Sequence, residues 1–200
     1  MKTKLIILLD ESLSMRKKRH EVIGGFNTFL REQKRLKTDS SKLYLIKFNT
    51  NVNIVYSGIN VKDVPDLKPS MYTPCGRTAL FDAISEGIYI AEEDMTDSEN
   101  EKVICVIITD GEENCSKDTT KDQVRRLLAQ YESKGNWAFV YIGKNPDRWT
   151  KEVGMSAAMG ISYNYNEPRI TFKHISNTVT KYRVSKYKLK KTLLQRFGLK

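Results

Sequence analysis

Histidine occurs only twice and cysteine only three times in the 200 residues. Cys75, Cys105 and Cys115 are an odd number at no zinc-type spacing, and neither His20 nor His174 has a ligand or nucleophile partner nearby. A zinc ribbon, a disulfide framework and a histidine-based triad are therefore not expected. Thiols without a pairing pattern suit a reducing compartment, and a cytoplasmic location is the expectation. Long apolar runs are missing as well. The N-terminal run is only Leu5–Leu9, short of the roughly 7–15 residues of a signal-peptide core and the about 20 of a membrane span. There is no phosphate-cradling glycine loop. Acidic residues also stop: none follows Glu167, whereas Pro168 to Lys200 holds ten Lys or Arg. The net charge of +10 thus belongs to the C-terminal segment, and the first 167 residues are balanced.

What is present alternates between strand and helix patterns, as in an α/β sheet with helices on its faces. Lys4–Leu9, Val103–Ile108 and Trp137–Ile142 read as buried strands. Leu43–Phe48 and Val52–Tyr56, separated by Asn49-Thr50-Asn51, read as an antiparallel hairpin. The sheet is thus expected to be mixed. Helical spacing predicts helices over about Arg16–Lys37, over Thr78–Glu92 with its N-terminus at Thr78, and from the region of Ser116 or Asp118, both plausible caps, to Gly135. Shorter helical pieces are expected at Pro146–Val153 and Ser156–Met159, an edge strand at Ile161–Tyr163, and a last helix carrying Phe172, Ile175, Val179 and Tyr182. Asn60–Arg77, with three prolines, reads as a long loop. The reading is one domain over residues 1–183, followed by a basic amphipathic helix or tail at residues 184–200.

The strands end in chemistry. Asp10-Glu11-Ser12-Leu13-Ser14 follows the first strand, Thr109-Asp110-Gly111 follows the Val103–Ile108 strand, and Thr78 stands where the long loop enters a helix. In open α/β sheets, ligands bind beyond the carboxyl ends of the strands. Two carboxylates and three hydroxyls at that edge form an oxygen-only donor set, suited to magnesium or manganese rather than zinc. Ordinary turn and helix-cap roles remain the alternative for any one of these residues taken alone.

Asp10-x-Ser12-x-Ser14, Thr78 within Gly76-Arg77-Thr78-Ala79-Leu80, and Thr109-Asp110-Gly111-Glu112-Glu113 resemble, in order and context, the three segments of the von Willebrand factor type A domain. The likeness spans about residues 4–183. It is closest to small intracellular bacterial or phage members, which share stretches like Ile23-Gly24-Gly25-Phe26-Asn27, Ala79–Ile84 and Asp110–Asn114. The resemblance implies a Rossmann-like, doubly wound, mostly parallel sheet with one antiparallel edge hairpin and helices on both faces. It also implies a metal-ion-dependent adhesion site in which Ser12, Ser14 and Thr78 hold Mg²⁺, with Mn²⁺ as an alternative. Asp10 and Asp110 would then act directly or through water, and an open position would take an Asp or Glu carboxylate from a protein partner. Leu13 stands where glycine is common in that family.

The expected function is metal-dependent interaction with an acidic partner and not catalysis, since nothing in the sequence marks Glu112 or Glu113 as a catalytic base. A solvated loop and support of the metal ligands both remain open for those two glutamates. Arg16–Arg19 reads either as attraction for an acidic partner or as a solvated helix face. Cys75 and Cys115 fall in two loops that flank the site, so that oxidative pairing and simple small-residue replacement are both open, and Cys105 reads as core. The basic tail has its own alternatives: an acidic protein, nucleic acid or a membrane surface as partner with the metal site structural, or packing on its own domain.

Overall fold

A computed structural model describes residues 2–37, 40–155, 160–162 and 168–185. Strands β1 (Lys2–Asp10), β2 (Ser41–Phe48), β3 (Val52–Asn60), β4 (Glu101–Ile108), β5 (Trp137–Gly143) and β6 (Gly160–Ser162) form one sheet in the order β3-β2-β1-β4-β5-β6. All neighbours are parallel except β2 and β3. Leu5 to Leu9 are fully buried because β1 is central and covered on both faces, which is why this strand reads as an unbroken apolar run. The β2–β3 hairpin closes through Asn49, whose side-chain oxygen accepts from the Asn51 amide at 3.0 Å.

Helices α1 (Arg19–Arg35), α2 (Leu80–Glu93), α3 (Lys121–Ser133), α4 (Pro146–Val153) and α5 (Pro168–Val184) cover the sheet. From β1 the chain crosses through α1 to β2, and from β4 through α3 to β5 on the opposite side of the sheet order. Crossovers of one hand that run in opposite directions place their helices on opposite faces. Accordingly α1 packs on α5, and α2 packs on α3. The two directions diverge between β1 and β4, the switch point beyond whose carboxyl ends open α/β sheets bind their ligands.

Several expected boundaries move for identifiable reasons. The first helix does not begin at Arg16, because Leu13–Lys18 is wound as a 3₁₀ segment and α1 starts at Arg19. Helix α2 begins at Leu80 rather than at Thr78, whose backbone is engaged by Asn114. The cap of α3 is Thr120, in a reciprocal capping box with Gln123, and neither Ser116 nor Asp118 serves it. Strand β3 runs on to Asn60, and the loop beyond it contains short 3₁₀ turns at Val61–Asp63 and Pro69–Met71. Tyr163, the helical piece expected at Ser156–Met159 and the tail residues 186–200 lie outside the described residues.

Helix α5 ends against a buried cation. The Lys102 ammonium donates to the carbonyls of Tyr182, Arg183 (3.0 Å) and Ser185 (2.6 Å), a favourable placement of positive charge at a helix C-terminus. Lys102 lies near the start of β4, so the chain reaches Ser185 at the amino ends of the parallel strands, the pole opposite Asp10. Among the described residues no helix is long and apolar enough to cross a membrane.

Candidate metal centre

Asp10 is the last residue of β1 and is fully buried. Its Oδ1 accepts from the Ser12 amide at 2.6 Å, and its Oδ2 accepts from the Thr109 hydroxyl at 2.5 Å. The Ser12 and Ser14 hydroxyls are 3.0 Å apart, and Ser14 donates to Asp110 Oδ1 at 2.5 Å. Thr78 closes the cluster. A β-carbon built on Gly111 would stand 3.1 Å from Thr78 Oγ1, 3.6 Å from Ser14 Oγ and 3.7 Å from Asp10 Oδ2. Oxygens from two separate segments thus converge on Gly111 in a third, where an added methyl group would crowd Thr78. Burial raises the Asp10 carboxyl above its ordinary 3.8; the bonds from Thr109 and Ser12 oppose this, and the neighbouring Asp110 charge adds to it. Two carboxylates placed so close, one of them fully buried, are the electrostatic setting that a divalent cation relieves. Among the described residues no group of three His, Cys, Asp or Glu forms a metal cluster, so any cation here must rely on the hydroxyls.

The loops that carry these oxygens are tied to one another by residues outside the donor set. Glu113, half-buried, accepts from the amides of Phe81 (2.9 Å), Cys115 (2.8 Å) and Ser116 (2.7 Å) and from the Ser116 hydroxyl (2.7 Å). The Ser116 hydroxyl in turn accepts from the amides of Phe81 and Asp82 at 3.1 and 3.2 Å. The loop after β4 thereby satisfies the otherwise unpaired amides at the start of α2. Asp82 reciprocates by accepting from the amides of Lys117, Asp118 and Thr119. Asn114 brackets Thr78, accepting from its amide at 2.9 Å while the Asn114 amide donates to the Thr78 carbonyl at 3.1 Å. Of the two glutamates left open by the sequence, Glu113 is this anchor and Glu112 is exposed.

On the other side of the cluster, Glu11 is buried against Lys47, with both carboxylate oxygens 2.9 Å from its ammonium, and accepts from the Thr73 amide at 2.5 Å. The Tyr72 hydroxyl donates to the Asp10 carbonyl at 2.5 Å. These bonds hold the proline-bearing loop beneath the Asp10–Ser14 turn. Lys18, from the basic cluster, pairs with Asp110 Oδ2. Arg19 donates to the carbonyls of Tyr72 (2.8 Å) and Pro69 (2.5 Å), and Arg16 and Lys17 are exposed. The cluster is therefore neither wholly a solvated face nor wholly free to attract a partner.

At the rim, Leu13 is 52% exposed. A groove of about 270 Å³ beside the Glu112–Glu113 loop is lined by Phe81, Tyr141, Trp149, Lys144 and Arg148. Cys75 and Cys115 are free thiols on either side of Asn49, which donates to Cys75 Sγ at 3.4 Å and accepts from Cys115 Sγ at 3.9 Å. Cys105 is buried in β4, and His20 and His174 are exposed on α1 and α5.

The convergence at Gly111 has a direct consequence. Gly111→Ala puts a methyl group among three of the oxygens, tightest at Thr78. The variant is expected to bind Mn²⁺ at least about tenfold more weakly than wild type, with little change in unfolding temperature, because the substitution lies at the rim of the core. Titration calorimetry checks this, and an unchanged affinity would place the cation elsewhere.

Residues 4–174 match the von Willebrand factor type A domain family. Among solved structures, proximal thread matrix protein 1 from the mussel byssus has a TM-score of 0.69 at 15% identity, covering 90% of this chain and 48% of that one. A second structure of that protein, at TM-score 0.67, 14% identity and the same coverage, has a zinc-occupied MIDAS motif. The pilus adhesin SpaC from Lactobacillus rhamnosus GG has a TM-score of 0.70 at 11% identity, over 90% of this chain and 30% of that one. The von Willebrand factor type A protein from Catenulispora acidiphila has a TM-score of 0.60 at 14% identity, with coverages of 88% and 42%. At these identities the likeness is one of fold. The chain spans less than half the length of each of these neighbours. No curated protein matches the sequence.

Proposed function

The chain belongs to the von Willebrand factor type A domain family of interaction modules, and from that premise we propose that it captures an acidic group on a protein partner through a divalent cation. Asp10, Ser12, Ser14, Thr78 and Asp110 are the residues assigned to the cation. The observation that carries the reading is the convergence of Thr78 Oγ1, Ser14 Oγ and Asp10 Oδ2 within 3.7 Å of one point beside Gly111. Mg²⁺ is the cation assigned, with Mn²⁺ as its substitute, because every donor is a hard oxygen. Hydroxyls add no charge, so a cation held by few carboxylates remains attractive to a further one.

Binding is favoured over catalysis by how Glu113 is used. Its oxygens are occupied by three amides and a hydroxyl, which supports an anchoring role and leaves it poorly placed to serve as a base. A reducing, cytoplasmic setting fits the three free cysteines. The domain is taken as residues 1–183 and the basic segment as residues 184–200.

Pull-down with the full chain tests the reading. The partner is expected to be lost on adding EDTA and to return on adding excess Mg²⁺, while 0.5 M salt has a smaller effect. Retention in EDTA with loss in salt would transfer the function to the basic C-terminal segment and an anionic partner surface.

A further inference from the structure

We propose that Lys18 is a built-in counter-charge that makes occupation of the metal site depend on an acidic ligand; this rests on the metal-site reading above. Lys18 ends the 3₁₀ segment that leads directly out of the Asp10–Ser14 turn, and its ammonium pairs with Asp110 Oδ2. The two oxygens of Asp110 are divided, since Oδ1 accepts from Ser14 at 2.5 Å and faces the hydroxyl cluster. Lys18 therefore takes the outer oxygen and has no need to leave when a cation joins the inner one.

The consequence is electrostatic. Asp10 and Asp110 supply two negative charges, and Lys18 cancels one. Glu11 does not enter the balance, because Lys47 holds both its oxygens at 2.9 Å. A divalent cation bound to the two carboxylates alone would give a neutral site. With Lys18 present the loaded site keeps one positive charge, and a single partner carboxylate neutralises it. The Lys18 and Asp110 side chains are only 19% and 5% exposed, so solvent screens this charge weakly. Lys18 thus weakens the metal bound alone and strengthens the metal–carboxylate complex, and by linkage each ligand raises the affinity for the other.

Mn²⁺ titrated calorimetrically into wild type, Lys18→Gln and Lys18→Arg tests this, in sodium chloride and in sodium acetate at equal ionic strength, acetate standing for the partner carboxylate. In chloride, Lys18→Gln is expected to bind Mn²⁺ about tenfold more tightly than wild type. Acetate is expected to tighten Mn²⁺ binding severalfold in wild type and Lys18→Arg and much less in Lys18→Gln. Thermal unfolding without metal verifies that each variant is folded. If Lys18→Gln binds Mn²⁺ no more tightly than wild type, or gains as much from acetate, the counter-charge is overturned and the metal site stands. If no protein binds Mn²⁺, the metal site falls and the inference with it.

Discussion

Asp10→Asn is expected to weaken divalent-cation binding by at least about a hundredfold and, in the same protein, to raise the unfolding temperature of the metal-free form by a few degrees. The two effects share a cause. Asp10 is fully buried at the end of β1 with Asp110 beside it, and its carboxyl is raised from 3.8 chiefly by that burial. A carboxyl that titrates higher in the folded chain than in the unfolded one costs stability at neutral pH, because its charge is less well solvated in the fold than in water. The cost is relieved as the pH falls through the folded value and is gone once the pH lies below the unfolded one. Asparagine keeps an oxygen for the Ser12 amide, 2.6 Å away in wild type, but carries no charge to be desolvated. Stability is thus traded for binding in the way functional sites commonly show. Scanning calorimetry checks both halves: Mg²⁺ should raise the unfolding temperature of wild type and leave the variant unmoved, while in EDTA the variant should melt higher. A variant that still gains from Mg²⁺, or that melts well below wild type in EDTA, would contradict the electrostatic account of this cluster.

The five candidate donor residues stood out in the sequence because each lies at or next to a boundary that periodicity marks. Leu5–Leu9 and Val103–Ile108 are apolar runs that stop at Asp10 and just before Thr109-Asp110, and Thr78 closes a proline-bearing loop. The mixed sheet followed from the same alternation, including the antiparallel hairpin at Asn49-Thr50-Asn51. The residues that join the loops were not legible, since their partners are distant and follow no period. Glu113 and Ser116 reach Phe81 and Asp82, Asp82 reaches back to residues 117–119, and Asn114 holds Thr78. Ser116 has the composition of a helix cap and is one, but for α2, which precedes it in sequence, rather than for α3. Local propensity names the role of such a residue; only the assembled sheet names its recipient. The Glu11–Lys47 pair and the Lys18–Asp110 pair were hidden for the same reason.

Adjacent glycines in α1 provide the second large effect. On helix propensity alone, Gly24→Ala and Gly25→Ala should each stabilise the helix by about 1 kcal/mol. The surroundings separate them. A β-carbon at Gly24 meets nothing within 4 Å, whereas one at Gly25 would lie 2.0 Å from Phe172 Cδ2 and 2.6 Å from Cγ. That ring belongs to α5 and is 2% exposed, and Cγ lies near the base of the side chain, so a small rotation does not clear the clash. The helices must separate or Phe172 must leave its rotamer, and overpacking of this kind costs about 3 kcal/mol or more. Gly25→Ala is therefore expected to lower the unfolding temperature by roughly 10 °C while Gly24→Ala holds or raises it. Adding Phe172→Leu to Gly25→Ala should recover part of the loss, so that the double change costs less than the sum of the single ones. Mn²⁺ affinity measured below the transition should stay at the wild-type level in all three variants, because the clash is between α1 and α5 and touches none of the five residues proposed to hold the cation. Equal unfolding temperatures for the two alanine variants would mean that α5 does not close on α1, and the domain would then have to end before Pro168.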